Sequence, residues 1–175
     1  DAQFISLNSA RHDAAKHRSM PVVGDAKLGL AALQSALGQR CADPAWTKEA
    51  QAQRQIWEHT VAETVRAGDN RPNSYAQAIG VVNALVADHD RVVAAAGGLP
   101  AEVTANWRTL KTGTVDVEFG FSCMGYEIAG AWGARIAQSE KEPEADTISF
   151  VGDGSYLMLN SDIYSSVLTG KKLII

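Results

Sequence analysis

One stretch of the chain carries the residue types that a phosphate group and a hard metal ion require. It reads Gly152, Asp153, Gly154 and Ser155, and it follows the apolar run at residues 148–151. That run predicts a short buried strand that ends at Gly152. A glycine lets the backbone approach a phosphate closely, and the carboxylate oxygens of Asp153 suit Mg²⁺. The stretch therefore predicts a site for a phosphate and magnesium.

The same stretch also has a purely structural interpretation. Gly and Asp are common where a strand turns into a helix, because they form the turn and cap the helix. Two further glycine-bearing loops favour a ligand, one at Gly97 and Gly98 and one at residues 120–125. In a parallel sheet such loops meet at the carboxyl edge, where ligands bind. On the residues alone, both interpretations stay open.

The order of apolar and helical segments predicts an α/β fold with a doubly wound parallel sheet. Strands are expected at residues 4–7, 21–23, 91–96, 115–117, 148–151 and 173–175. Helices are expected after the caps Asp25, Asp43 and Ser74, at residues 101–107 and 126–138, and from the Gly-Asp-Gly turn through Val167. In the helix after Ser74, Ile79, Val82, Leu85 and Val86 fall on one apolar face.

Composition excludes several classes of partner. The net charge is −4 and no long run of Lys and Arg occurs, so we expect no nucleic-acid partner. No apolar stretch approaches the ~20 residues of a membrane helix, and no signal peptide is recognisable, so we expect no membrane association. Cys41 and Cys123 fit no metal-binding spacing, and a reduced, cytoplasmic protein is the expectation.

Two strings resemble a known superfamily. Residues 151–155, preceded by residues 122–125, are similar to the diphosphate-binding domain of thiamine diphosphate enzymes of the acetohydroxyacid synthase type. Residues 21–25 also resemble the closing strand and helix of that superfamily's middle domain. The resemblance implies a fragment truncated at its C-terminus. It would consist of the end of a middle domain (1–38), a linker helix (39–72) and the N-terminal part of the diphosphate-binding domain (73–175).

The resemblance implies two cofactors, thiamine diphosphate and Mg²⁺. Asp153 would ligate Mg²⁺, which bridges the two phosphates, and an asparagine beyond Ile175 would complete the metal shell. Gly152, Gly154 and Ser155 would bind the diphosphate, Ser155 through both its backbone and its hydroxyl.

Further cofactor contacts follow from the same resemblance. Met124 would lie under the bend of the cofactor, although a core methionine is an equally good interpretation. The backbone near Ser122 would meet the aminopyrimidine, and Gly97 and Gly98 would border the phosphate end.

Other residues near these loops have weaker assignments. Asn160 would support the metal loop or, more simply, act as a helix N-cap. Glu118 and Glu127 would contact a polyol substrate or take solvated or capping roles, and the solvated or capping roles are favoured. Cys123 is expected to pack rather than act as a nucleophile, because no histidine partner is evident.

Residues 126–130 and 155–161 depart from the synthases, and they are considered together with the strings at residues 94–100 and 118–127. They resemble the branch of the superfamily that hydrolyses a carbon–carbon bond of a cyclic diketone, trihydroxycyclohexane-1,2-dione, in myo-inositol breakdown. The substrate would then be a small cyclic diketone or polyol, and the whole protein a homodimer or homotetramer. The resemblance implies no catalytic residue in this chain, since the family's activating glutamate would lie in another domain, contributed by a partner subunit.

Two alternatives remain at this stage. The first is an acetolactate synthase-like carboligase or decarboxylase of 2-oxo acids, which would use the same cofactor. The second is a non-catalytic nucleotide-binding α/β module, which would bind its ligand without magnesium.

Overall fold

The computed structural model describes residues 3–66, 68 and 73–175. The chain divides into two compact units, residues 1–52 and 53–175. The predicted break of the linker helix at residues 68–72 lies, apart from Gly68, outside the described residues. The assignment of residues 1–38, 39–72 and 73–175 to separate domains stays a prediction.

The first unit contains a pair of parallel strands followed by a helix, as the sequence predicted. Strand β1 pairs with β2, with Ile5 opposite Met20. The Asp25 carboxylate accepts a hydrogen bond from the Leu28 N–H (2.9 Å), so the predicted N-cap is confirmed. The elements of this unit are β1 (Ile5–Asn8), α1 (Arg11–Ala14), a 3-10 turn (Lys16–Arg18), β2 (Met20–Val23) and α2 (Ala26–Leu37).

Two further predicted caps begin the next helices. Helix α3 (Pro44–Thr64) starts where Asp43 accepts a hydrogen bond from the Ala45 N–H at 2.8 Å. Helix α4 (Tyr75–Leu85) starts with a capping box, in which Ser74 and Gln77 each accept the other's backbone N–H. Both helix starts are therefore confirmed.

The sheet of the second unit is parallel and has the strand order β4-β3-β5. The chain runs from the central strand β3 to β4 on one side, and then crosses to β5 on the other. This arrangement confirms the predicted parallel α/β fold. The elements are β3 (Arg91–Ala94), α5 (Gly98–Asn106), β4 (Val115–Val117), α6 (Tyr126–Ser139), β5 (Thr147–Phe150), α7 (Asp153–Met158) and α8 (Ser161–Leu168).

Three details differ from the prediction. The single helix expected through Val167 is two helices, because Leu159 leaves helical geometry (φ −143°, ψ 77°) and its side chain packs beside Gly125. The strand expected at residues 173–175 is a single parallel bridge between Ile174 and Ile148. Leu85 is 81% exposed at the end of α4, so only the rest of the predicted apolar face packs inward.

A compact apolar core fixes the sheet of the second unit. Trp107 and Phe150 meet edge to face with ring centroids 6.1 Å apart. The buried members of this core are Ile79, Val92, Ala94, Val103, Trp107 and Ile148. Because side chains of β3 and β5 pack in this one core, the loops at the carboxyl ends of these strands start from fixed positions. None of the helices within the described ranges is long and apolar enough to cross a membrane.

Candidate functional site

A cavity of about 230 Å³ lies at the carboxyl ends of β3 and β5. These neighbouring strands are followed by connections that diverge, one toward β4 and one toward the bridge at Ile174. Such a switch point is where open α/β sheets bind ligands. The cavity is lined by Tyr75, Ala96, Gly97, Gly98, Leu99, Met124, Gly152, Asp153, Gly154 and Ser155. All the predicted site residues except Ser122 are therefore brought together here.

Glycines leave the walls of this cavity free of side chains. A Cβ atom added at Gly97 or Gly152 would meet no described atom within 4 Å, and at Gly98 only Tyr75 Cε2 at 3.9 Å. At Gly154 the nearest atom would be Met124 Cε at 3.3 Å. Gly97 also has a φ of +83°, a backbone conformation that favours glycine. This glycine-lined wall, which we call the glycine cradle, is therefore open to a ligand that contacts backbone rather than side chains.

Asp153 places one carboxylate at the cavity. Its Oδ1 accepts a hydrogen bond from the Gly154 N–H (2.9 Å), and its Oδ2 has no hydrogen-bond partner among the described residues. Among the residues that the structure describes, no group of three His, Cys, Asp or Glu side chains could hold a metal ion. The residues present thus fit Mg²⁺ only in the form in which one carboxylate shares the ion with phosphate oxygens and water.

Met124 borders the same cavity and is 40% exposed. The alternative that it is a core methionine is therefore wrong. Its terminal methyl group lies close to Gly154, so a flexible apolar side chain covers one wall of the cradle.

Ser122 lies in a turn that Glu118 organises. The two Glu118 oxygens accept hydrogen bonds from the N–H groups of Cys123 (2.7 Å) and Phe121 (2.9 Å). These backbone donors to the charged form hold the pKa of Glu118 below its ordinary value. Ser122 itself has a φ of +54° and does not line the cavity. Glu118 thus has the structural role that was favoured for it, whereas Cys123, expected to pack, is exposed.

Glu127 is fully buried rather than solvated, and it takes the capping role, because it accepts from the N–H of Gly125, the N-cap residue of its own helix. What sequence reasoning missed is its contact with two distant residues, Ala96 and Ser155. Its Oε1 accepts from the Ala96 N–H (3.0 Å), and its Oε2 accepts from the Gly125 N–H (2.9 Å). The signal that could have found it is a carboxylate in a helix of small apolar residues, since a buried charge must be paired.

Ser155 completes this buried group. Its hydroxyl lies 2.9 and 3.0 Å from the two Glu127 oxygens and accepts a hydrogen bond from the Gly125 N–H (2.9 Å). The predicted contact between this hydroxyl and a diphosphate therefore conflicts with the geometry, because the hydroxyl is engaged by Glu127. Asn160 occupies the N-cap position of α8, but its side chain caps no N–H group.

Comparison with known proteins identifies the same region. Residues 95–175 match the family described as the thiamine pyrophosphate enzyme, C-terminal TPP binding domain. A 3D-(3,5/4)-trihydroxycyclohexane-1,2-dione hydrolase of Geobacillus thermodenitrificans (strain NG80-2) is 34% identical over 98% of this chain and 30% of its own length. The 3D-(3,5/4)-trihydroxycyclohexane-1,2-dione hydrolase 2 of Bacillus cereus (strain ZK / E33L) is 32% identical over 99% of this chain. The chain spans about 30% of the length of these relatives.

The cavity and the family match coincide. Apart from Tyr75, every residue that lines the cavity lies within the matched range 95–175. The chain therefore belongs to the thiamine pyrophosphate enzymes, and residues 95–175 belong to their C-terminal TPP-binding domain.

Proposed function

We propose that this chain binds thiamine diphosphate and Mg²⁺ in the 230 Å³ cavity, as part of an enzyme that hydrolyses a carbon–carbon bond of trihydroxycyclohexane-1,2-dione. The observation that carries the cofactor site is the glycine cradle beside Asp153, since its backbone is exposed to a ligand. The choice of substrate is supported by the similarity of the chain to trihydroxycyclohexane-1,2-dione hydrolases.

Within this proposal, the residues of the chain bind and orient. Asp153 Oδ2 would hold Mg²⁺ beside the phosphate oxygens, and the backbone N–H of Ser155 would donate to the diphosphate. Gly154, whose N–H bonds Asp153 Oδ1, would let the diphosphate approach the backbone closely. Gly97 and Gly98 would border the opposite side. The hydroxyl of Ser155 would bond Glu127 within the cavity wall and would not contact the cofactor.

The chemistry requires a group that accepts charge when the carbon–carbon bond breaks. Thiamine diphosphate supplies a carbon nucleophile that delocalises this charge, and the protein supplies orientation and electrostatics. The net reaction consumes one water and leaves a carboxylic acid at one end of the opened ring. Met124 would contact the cofactor from the cavity wall. The acid–base group that activates the cofactor would come from another domain in a cytoplasmic homodimer or homotetramer.

The test uses the whole polypeptide to which this chain belongs. Loss of the diketone and binding of thiamine diphosphate are measured with and without Mg²⁺, in wild type, Asp153→Asn and Glu144→Gln. The last variant removes a carboxylate that is exposed and does not line the cavity. We expect Mg²⁺-dependent binding and turnover that Asp153→Asn abolishes and Glu144→Gln preserves.

Other outcomes would overturn parts of the proposal. Turnover of pyruvate without turnover of the diketone would assign the protein to the 2-oxo acid branch. Diketone loss that ignores the cofactor and survives Asp153→Asn would remove the site assignment. Ligand binding that is independent of Mg²⁺, without any turnover, would favour a non-catalytic module.

A further inference from the structure

We propose that Glu127 is a positioning residue that fixes the three walls of the cavity at once, and that the affinity for thiamine diphosphate depends on it. The inference rests on the proposed cofactor binding. Glu127 does not line the cavity and would not touch the cofactor. Its role would therefore be exerted through the backbone that it holds.

Each partner of the Glu127 carboxylate lies next to a cavity-lining residue in the chain. Ala96 precedes Gly97 in the loop after β3, Gly125 follows Met124 in the loop before α6, and Ser155 follows Gly154 in the turn after β5. Consecutive loops of these three are separated by about thirty residues of chain, as the sequence separations of 31 and 28 between Glu127 and its distant partners show. One buried side chain thus joins all three.

The chemistry of the group requires a carboxylate. Its two oxygens accept from two backbone N–H groups and from the Ser155 hydroxyl, and all three partners act as donors. An amide offers one oxygen and one NH₂ group. In Glu127→Gln, whichever way the amide turned, its NH₂ would face either the Ala96 or the Gly125 N–H. With the NH₂ toward Ala96, that N–H would lose its carboxylate partner in a buried environment, where an unpaired donor is costly. With the NH₂ toward Gly125, that N–H would keep only its bond to the Ser155 hydroxyl.

Glu127 is itself held in place. Its backbone carbonyl accepts a hydrogen bond from the Ser149 hydroxyl at 2.8 Å, which ties the start of α6 to β5. Gly125 has a φ of +95°, and a Cβ atom there would collide with the Leu159 side chain. The loop before α6 therefore has little freedom to adjust, and loss of the carboxylate contact would move the loops apart rather than be absorbed.

The experiment separates positioning from general stability. Glu127→Gln is compared in the whole polypeptide with Thr147→Val, which removes a buried hydrogen bond from Thr147 Oγ1 to Gln138 (3.0 Å) at the opposite end of β5. Amide hydrogen exchange at Ala96 and Gly125 is measured without cofactor, and the thiamine diphosphate dissociation constant at saturating Mg²⁺. We expect faster exchange at one or both amides and roughly tenfold weaker binding in Glu127→Gln only.

A second variant decides the matter if Glu127→Gln does not fold. Ser155→Ala keeps both backbone N–H donors to the carboxylate but removes the hydroxyl that bonds Glu127 and accepts from the Gly125 N–H. We therefore expect weaker binding with unchanged exchange at Ala96. Wild-type affinity in Ser155→Ala and Glu127→Gln, or an equal loss in Thr147→Val, would overturn the inference. Wild-type protein that binds no thiamine diphosphate would overturn the proposed function instead, while the exchange rates would still decide whether Glu127 fixes the loops.

Discussion

Two cavities border the sheet of the second unit, and they differ in how their walls are built. The smaller one, of about 230 Å³, is lined by glycine backbone and the single carboxylate of Asp153. A larger one, of about 550 Å³, lies against β4 and α6. Its described lining carries three cations and two carboxylates besides His89, namely Arg91, Lys111 and Lys141 against Asp116 and Glu142. By charge alone, a diphosphate would favour the larger cavity.

If the diphosphate binds in the smaller cavity, as proposed, its preorganised backbone outweighs the more positive lining of the larger one. In the larger cavity Lys111 is engaged by Glu142 (2.7 Å), and both side chains are substantially exposed. Ordering such long side chains around a ligand costs conformational entropy, whereas a glycine cradle is already in place. In the smaller cavity, Mg²⁺ held by Asp153 would supply the positive charge that the walls lack. The predictions that follow test this contrast.

The largest expected effect concerns the rigidity of the walls. Gly125→Ala should lower the free energy of unfolding by about 2–4 kcal/mol, because it combines a left-handed φ with a collision against Leu159. Gly133→Ala, in the wall of the larger cavity, should instead raise it by about 0.5–1 kcal/mol, since that helical position is open. Urea unfolding measures both. Equal effects would show that the two walls do not differ in strain.

The second effect concerns the space that glycine leaves. Gly152 has a φ of −77°, so alanine can adopt its conformation, and the added methyl group would enter open space at the cavity. Gly152→Ala should weaken thiamine diphosphate binding roughly tenfold and leave the free energy of unfolding unchanged. Binding titration and urea unfolding of the same preparation test this. Unchanged affinity would mean that the cofactor does not contact this wall.

The small cavity was predictable from sequence where its signals are local. A strand followed by Gly152, Asp153 and Gly154 is a contiguous pattern, and caps such as Ser74 are set by a few neighbouring residues. Glu127 was not predictable in this way, because two of its partners lie 28 and 31 residues away and only the folded sheet brings them together. The Ser155 hydroxyl was misassigned for the same reason, since its direction depends on that distant carboxylate.

The third effect concerns the pKa values of two carboxylates, Glu118 near the smaller cavity and Glu142 at the larger one. Their pKa values should depend differently on salt. Hydrogen bonds from the Cys123 and Phe121 N–H groups lower the pKa of Glu118, and a hydrogen bond from the Lys111 ammonium lowers that of Glu142. The stability that each of these hydrogen-bonded carboxylates contributes is present above the ordinary glutamate pKa of 4.5. It is lost as the pH falls through the lower pKa of the folded state.

Added salt should change the pKa of only one of these two carboxylates, that of Glu142. Added salt screens the ion pair of Glu142 and should raise its pKa toward the ordinary value, whereas the neutral amide donors of Glu118 are little affected. NMR titration of the two side-chain carboxyl groups at low and high ionic strength measures both midpoints, with Glu118→Gln and Glu142→Gln to assign the signals. A Glu118 midpoint that moves with salt as far as that of Glu142 would contradict the assignment of its partners.

The smallest expected effect is the one that decides between the cavities. Lys111→Gln and Lys141→Gln each remove a positive charge from the exposed lining of the larger cavity. If the diphosphate binds in the glycine cradle, the affinity for thiamine diphosphate should stay within about twofold of wild type, because exposed charges outside the site are screened by salt. A salt-dependent loss of affinity in both variants, together with wild-type binding in Asp153→Asn, would transfer the diphosphate to the basic cavity. The comparison depends on measuring all three variants at the same ionic strength, because only then does a change in affinity identify the cavity whose charge was removed.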